Sequence, residues 1–147
     1  MKQIVVSLQE QENREQIIRQ ARELIKENIQ IETEDETSLV TCFGSFLLQI
    51  SFCGLHPLMV FCFARELKEP LSREARKTLN CLNVKGVLGC FAVSETGDCY
   101  IFRATHWLDS ELTADRFFEI VNRCGEEAAR GYKNLTSNRF KDGVSAV

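Results

Sequence analysis

Residues 37–64 read TSLVTCFGSFLLQISFCGLHPLMVFCFA, a run of 28 positions without one Asp, Glu, Lys or Arg. Two structures could absorb so apolar a stretch: a membrane-crossing helix, or a set of buried strands. Its internal punctuation decides between them. Gly44-Ser45 and Gly54-Leu55-His56-Pro57 interrupt it twice, and Pro57 has no N–H to donate to a helix. Between the breaks, Phe46, Leu48, Ile50 and Phe52 alternate with Leu47, Gln49, Ser51 and Cys53, the period of two of a half-buried strand. The flanks lack the basic cluster that would orient a span. Three strands are therefore predicted, at Leu39–Phe43, Phe46–Phe52 and Leu58–Ala64, with turns at the two breaks. The third is apolar on both faces (Leu58, Val60, Cys62 and Met59, Phe61, Phe63), which suits a central place in a sheet.

Helices flank this block. Ile17, Ile18, Ala21, Leu24, Ile25 and Asn28 share one face of a helix predicted over Glu10–Asn28. The acidic segment Glu32–Glu36 reads as a solvated loop or the end of a short strand from Ile29. Ser72 is a plausible cap for a second, shorter helix with Ala75, Leu79 and Leu82 at i, i+4 and i+7. Gly86–Val93 and Cys99–Thr105 form a hairpin around Ser94–Asp98. A last helix is predicted from Thr113 to Leu135, with Phe117, Ile120, Val121, Cys124, Ala128, Tyr132 and Leu135 as its apolar seam. Gly125 and Gly131 each weaken it by about 1 kcal/mol relative to Ala. The expectation is one α+β domain over residues 10–135, in the order α-β-β-β-α-β-β-α. It has an antiparallel sheet of about five strands and three helices. Residues 1–9 are read as an N-terminal extension and 136–147 as a disordered tail.

Composition sets the remaining bounds. The chain has 147 residues, 44% hydrophobic and 27% charged, enough for one sizeable core and too few for two ordinary domains. Eighteen basic against 21 acidic residues leave a net charge of −3, without the concentrated positive field that nucleic acid or anionic lipid requires. Neither nucleic acid nor membrane is expected as a partner. The seven cysteines include no C-x-x-C pair, and an odd number fits poorly with a secreted disulfide scaffold. Only three apolar residues in a row precede the polar Ser7 and Gln9–Glu12 run, too few for a secretory leader. A cytoplasmic protein with reduced thiols is expected.

The second half of the chain resembles a known superfamily. Leu71-Ser72-Arg73-Glu74-Ala75 through Leu82-Asn83 looks like the short central helix of type III secretion chaperone-like proteins. Gly86–Val93 and Cys99–Ala104 look like their fourth and fifth strands. Leu112-Thr113-Ala114-Asp115-Arg116-Phe117-Phe118 matches the start of their last helix. Within that group the likeness is greatest to the YbjN-like bacterial sensory transduction regulators. The resemblance covers residues 10–135 and implies an antiparallel sheet with helices packed on it, often homodimeric, which binds proteins without catalysis.

Candidate chemistry is sparse. A Cys-His nucleophile could draw only on His56 and His106, and Cys53 and His56 are spaced C-x-x-H. No nucleophile-elbow signature accompanies them, so Cys53 is read as packing and His56 as a solvent-facing turn residue. Cys53, His56 and Cys62 could offer three metal ligands, but Cys62 lies mid-strand, away from the turn. The acidic run lacks the glycine and spacing of a calcium loop. No catalytic residue, metal or cofactor is assigned. The leading expectation is a non-enzymatic protein–protein interaction module, chaperone-like or regulatory. Its predicted mode is strand addition at a sheet edge or packing into an apolar groove. Leu79, Cys81 and Leu82 are the candidate homodimer interface. Trp107 is the candidate partner anchor, weighed against the commoner role of sealing a core edge. The alternatives are a thiol-dependent enzyme or redox sensor, and a type III secretion effector chaperone.

Overall fold

The structure, a computed structural model, describes residues 7–53 and 56–137. Helix α1 runs Leu8–Asn28, capped by Ser7, whose hydroxyl accepts a 3.1 Å hydrogen bond from the Glu10 amide. The helix thus starts two residues before the predicted Glu10, and Ser7 to Gln9 belong to it rather than to an extension. Strands β1 (Thr33–Glu34), β2 (Ser38–Phe43), β3 (Phe46–Cys53) and β4 (Leu58–Glu66) follow, then α2 (Arg73–Lys85), β5 (Cys90–Val93), β6 (Cys99–Trp107) and α3 (Ala114–Thr136). Thr136 closes α3 and Ser137 caps it, so these two belong to the helix end; the rest of the expected tail, 138–147, and residues 1–6 lie outside the described residues. Residues 54–55 of the predicted turn also lie outside them, while His56 and Pro57 are in a turn.

The sheet has six antiparallel strands in the order β1-β2-β3-β4-β6-β5, one more than the five expected. The added strand is β1, from the acidic segment, with Thr33 opposite Val40 and Glu34 opposite Leu39. A helix distant in sequence holds it: Glu34 lies 3.0 Å from Arg22 and 3.2 Å from Lys26 of α1. Arg22 also donates to the carbonyls of Asp35 and Glu36. No local hydrophobic pattern could announce a two-residue strand fixed in this way. Strand β5, by contrast, is shorter than its predicted span: Gly86 caps α2, and pairing with β6 begins only at Cys90.

The run without charge forms β2, β3 and β4, and among the described residues no helix is long and apolar enough to cross a membrane. Gly44, at φ +56, makes the tight β2–β3 turn that a side-chain-bearing residue would strain. One side of the sheet carries the core. Leu39, Phe46, Leu48, Ile50, Phe52, Met59, Phe61, Phe63, Tyr100 and Phe102 are buried there against Ala21 and Ile25 of α1 and Phe117, Val121, Cys124, Ala128 and Leu135 of α3. β4 is central, as its doubly apolar pattern implied.

Two glycines of α3 are contact points. A Cβ at Gly125 would lie 2.2 Å from the Phe43 ring, and one at Gly131 would lie 2.4 Å from Phe91 and 2.5 Å from the Tyr100 hydroxyl. That hydroxyl donates a 2.7 Å hydrogen bond to the Ala128 carbonyl, fastening β6 to α3. The local weakening predicted for these glycines is therefore offset by the close approach of helix and sheet.

Candidate interaction surface

Every strand has two sides, and the sheet spends them unequally. The inward residues form the core described above; the outward residues of β3, β4, β5 and β6 are all exposed or half-buried. All three helices send their buried residues to the inner side. Register places the outward side chains in rows across the strands. Cys42, Leu47, Ala64, Ile101 and Ala92 form one row, and Val40, Gln49, Cys62, Arg103 and Cys90 the next. Ser51, Val60 and Thr105 follow, and Cys53, Leu58 and Trp107 close the sheet at the far end. Arg103 is the one charged side chain within these four rows; Leu47 is 49% exposed. A half-wet antiparallel face normally carries mostly polar residues. This one instead offers a broad apolar surface to solvent.

Trp107 lies at the edge of that surface, 69% exposed, with its ring 6.1 Å from the imidazole of His56. It does not seal the core, the commoner fate weighed for it. Its strand position faces it outward, because its neighbours His106 and Leu108 turn toward the inner side. In α2, Leu79 and Leu82 are partly buried against the protein's own core, whereas Cys81 is exposed. The apolar residues that α2 leaves to solvent lie further along, at Val84 and in the following segment at Val87.

Five of the seven cysteines, Cys42, Cys53, Cys62, Cys90 and Cys99, fall on the outward side. No two of them are register partners. Cys62 lies between Gln49 and Arg103, Cys90 opposite Arg103, Cys42 opposite Leu47, Cys53 opposite Leu58 and Cys99 opposite Glu66. The register therefore spreads the thiols rather than pairing them. The thiols that shift are pushed up: Cys42 by its hydrogen bond to Glu32, Cys62 by burial, and Cys124 by burial and nearby Glu127 to about 11. A raised thiol is a poor nucleophile at neutral pH. Cys53, His56 and Cys62 do not converge, and among the described residues no three His, Cys, Asp or Glu side chains could hold a metal ion.

A cleft of about 550 Å³ opens on the other side of the molecule, between α3 and the end of β6. Phe61, Ala104 and Ile120 line its floor, and His106, Arg116, Glu119 and Arg123 its rim. The rim charges oppose one another: Glu119 lies 2.7 Å from Arg123. Burial and nearby Arg116 lower the His106 pKa, which favours the neutral ring. Cys124 borders the cleft with its thiol held protonated.

No protein-family model and no curated protein matches the chain. Among solved structures it is similar to the crystal structure of YbjN from E. coli, described there as a "putative transcription regulator". The superposition has a TM-score of 0.55 at 12% identity, over 84% of this chain and 93% of that one. Identity this low speaks to architecture, and the shared architecture is the helix order and antiparallel sheet built up above. The chain has the YbjN-like fold.

Proposed function

We propose that the protein is a non-enzymatic, cytoplasmic interaction module of the regulatory or chaperone kind, and that it binds a protein partner on the uncovered face of its sheet. One observation carries this reading. The outward side of β3, β4 and β6 presents Leu47, Leu58, Val60, Ala64, Ile101 and Trp107 to solvent, with one charge, Arg103, among them. Contiguous apolar surface on a soluble protein marks a site of association, since leaving it wet forfeits about 25 cal/mol per Å². Trp107 at its rim supplies the kind of large amphipathic side chain that dominates binding energy. Assembly as a homodimer belongs to the same reading. The YbjN-like fold and the upward-shifted thiols are both compatible with a protein that binds rather than transforms.

The test is a paired capture. Tagged wild type and the double variant Leu47→Glu/Ile101→Glu are passed through host lysate, with sedimentation velocity on each alone. Both positions are solvent-accessible, so the variant should fold, as circular dichroism will show. A stoichiometric protein retained by the wild type and lost from the variant supports the sheet face. Equal retention by both, with equal sedimentation, refutes it.

A further inference from the structure

An antiparallel edge strand turns every second residue's N–H and C=O away from its neighbour. In the β5–β6 pair the Ser94 amide donates to the Cys99 carbonyl at 2.9 Å, which marks the 94–99 pair as hydrogen-bonded. Alternation then makes Cys90–Arg103 and Ala92–Ile101 bonded pairs too, and points the main-chain groups of Phe91 outward, toward a position where a further strand could pair. The same alternation turns Val93 outward as well, and the position at Phe91 is taken by one side chain. The Asn83 Oδ1 accepts from the Phe91 N–H at 2.7 Å, and Asn83 Nδ2 donates to the Phe91 carbonyl at 2.9 Å. A carboxamide has the donor and acceptor of a peptide group, so the two bonds reproduce what one residue of an antiparallel neighbour would exchange with Phe91.

We propose that Asn83 is a side-chain stand-in for a seventh strand: it fills the pairing position at Phe91 and so keeps the β5 strand of a second copy of this chain from adding to that edge, which accepts that strand once the amide is removed. The surroundings agree. Asn83 sits near the end of α2, anchored through Leu79 and Leu82 against the core. Val84 and Val87 beside it are 86% and 89% exposed, an apolar shoulder for the side chains of an incoming strand. The opposite edge needs no such device, because β1 is two residues long and its Glu34 is bound by Arg22 and Lys26. The inference is independent of the sheet-face reading, since it concerns an edge and not a face.

Asn83→Ala tests it, with Asn80→Ala on the same helix as the control. Alanine is a better helix former than asparagine, so α2 should persist. The probe is a labelled, end-blocked peptide of residues 89–95 with Cys90→Ser, titrated against each protein by fluorescence anisotropy. Amide hydrogen exchange at Phe91 is followed in parallel. The expected result is peptide binding at least tenfold tighter to Asn83→Ala than to wild type or Asn80→Ala. Phe91 exchange should also be faster in Asn83→Ala and slowed again by the peptide. Unchanged exchange at Phe91 would show that Asn83 does not hold the edge. Faster exchange without tighter peptide binding would show that the edge, once open, accepts no strand. Either outcome overturns the proposal.

Discussion

Gly125, Gly131, Tyr100 and Cys124 show how much of this fold rests on single side chains between α3 and the sheet. The notch at Gly125 admits the Phe43 ring at a distance no Cβ could tolerate. Gly125→Ala should therefore destabilise by about 1–3 kcal/mol through overpacking, despite the gain in helix propensity, as urea denaturation will show. Tyr100→Phe removes the hydrogen bond to the Ala128 carbonyl and should cost about 1 kcal/mol by the same assay. Cys124 gives a pH signature. Its thiol is raised from 9.0 to about 11 by burial first and Glu127 second, so the folded state favours the protonated form. The stability this represents is fully present below pH 9 and is lost as pH rises toward 11. The difference in unfolding free energy between wild type and Cys124→Ala should accordingly narrow over that window; a difference independent of pH would contradict it.

Among the elements, helix ends follow rules that operate over three or four residues. Ser7, Ser72 and Thr113 each accept a hydrogen bond from the amide three positions on, to Glu10, Ala75 and Arg116. Two of the three, Ser72 and Thr113, stand at predicted helix starts; α1 begins ahead of the predicted Glu10 with Leu8, which is largely exposed and adds nothing to the apolar face. Thr113→Ala should cost about 1 kcal/mol, with the loss confined to α3, which differential hydrogen exchange of residues 114–118 can show. Strand β3 is legible through its alternation and β4 through an apolar run that opens after Pro57; β1 is not counted among the expected strands, because two residues carry no period. The edge at β5 bears on the strand-addition mode expected for the protein. Strand addition requires a free edge, and the Asn83 side chain occupies the Phe91 position of this one.

For the molecule as a whole, one-sided packing is the governing fact. Three helices cover one side of a six-stranded sheet, and five cysteines are left on the other. Alkylation of the native protein at neutral pH, read by mass spectrometry, should follow that arrangement. Cys81 and Cys90 are exposed and should label first. Cys42, also exposed, should lag because its thiol is bonded to Glu32 and held protonated. Cys124 is buried and should label last. A fast-labelling Cys62 or Cys124 would reopen the thiol-dependent alternative.

By itself the sequence determined the class of this protein: α+β, a charge-free run cut into strands by Gly44 and Pro57, and an amphipathic last helix seamed from Phe117 to Leu135. Those features are local, since hydrophobic period, turn residues and caps act within a few positions of the chain. Only the tertiary structure decided which side of each strand is covered. The doubly apolar pattern of β4 states that both of its faces could be buried; whether a helix lies over Val60 and Cys62 depends on where α1 and α3 dock. The same holds for Trp107, left exposed at the end of β6, and for Leu79 and Leu82, half-buried against the protein's own core. Asn83 and Phe91 meet through the packing of α2 on the sheet end, and β1 exists because Arg22 and Lys26 reach across from a helix. Such contacts join residues by docking geometry, and no periodicity along the chain encodes which surface a docked element leaves bare.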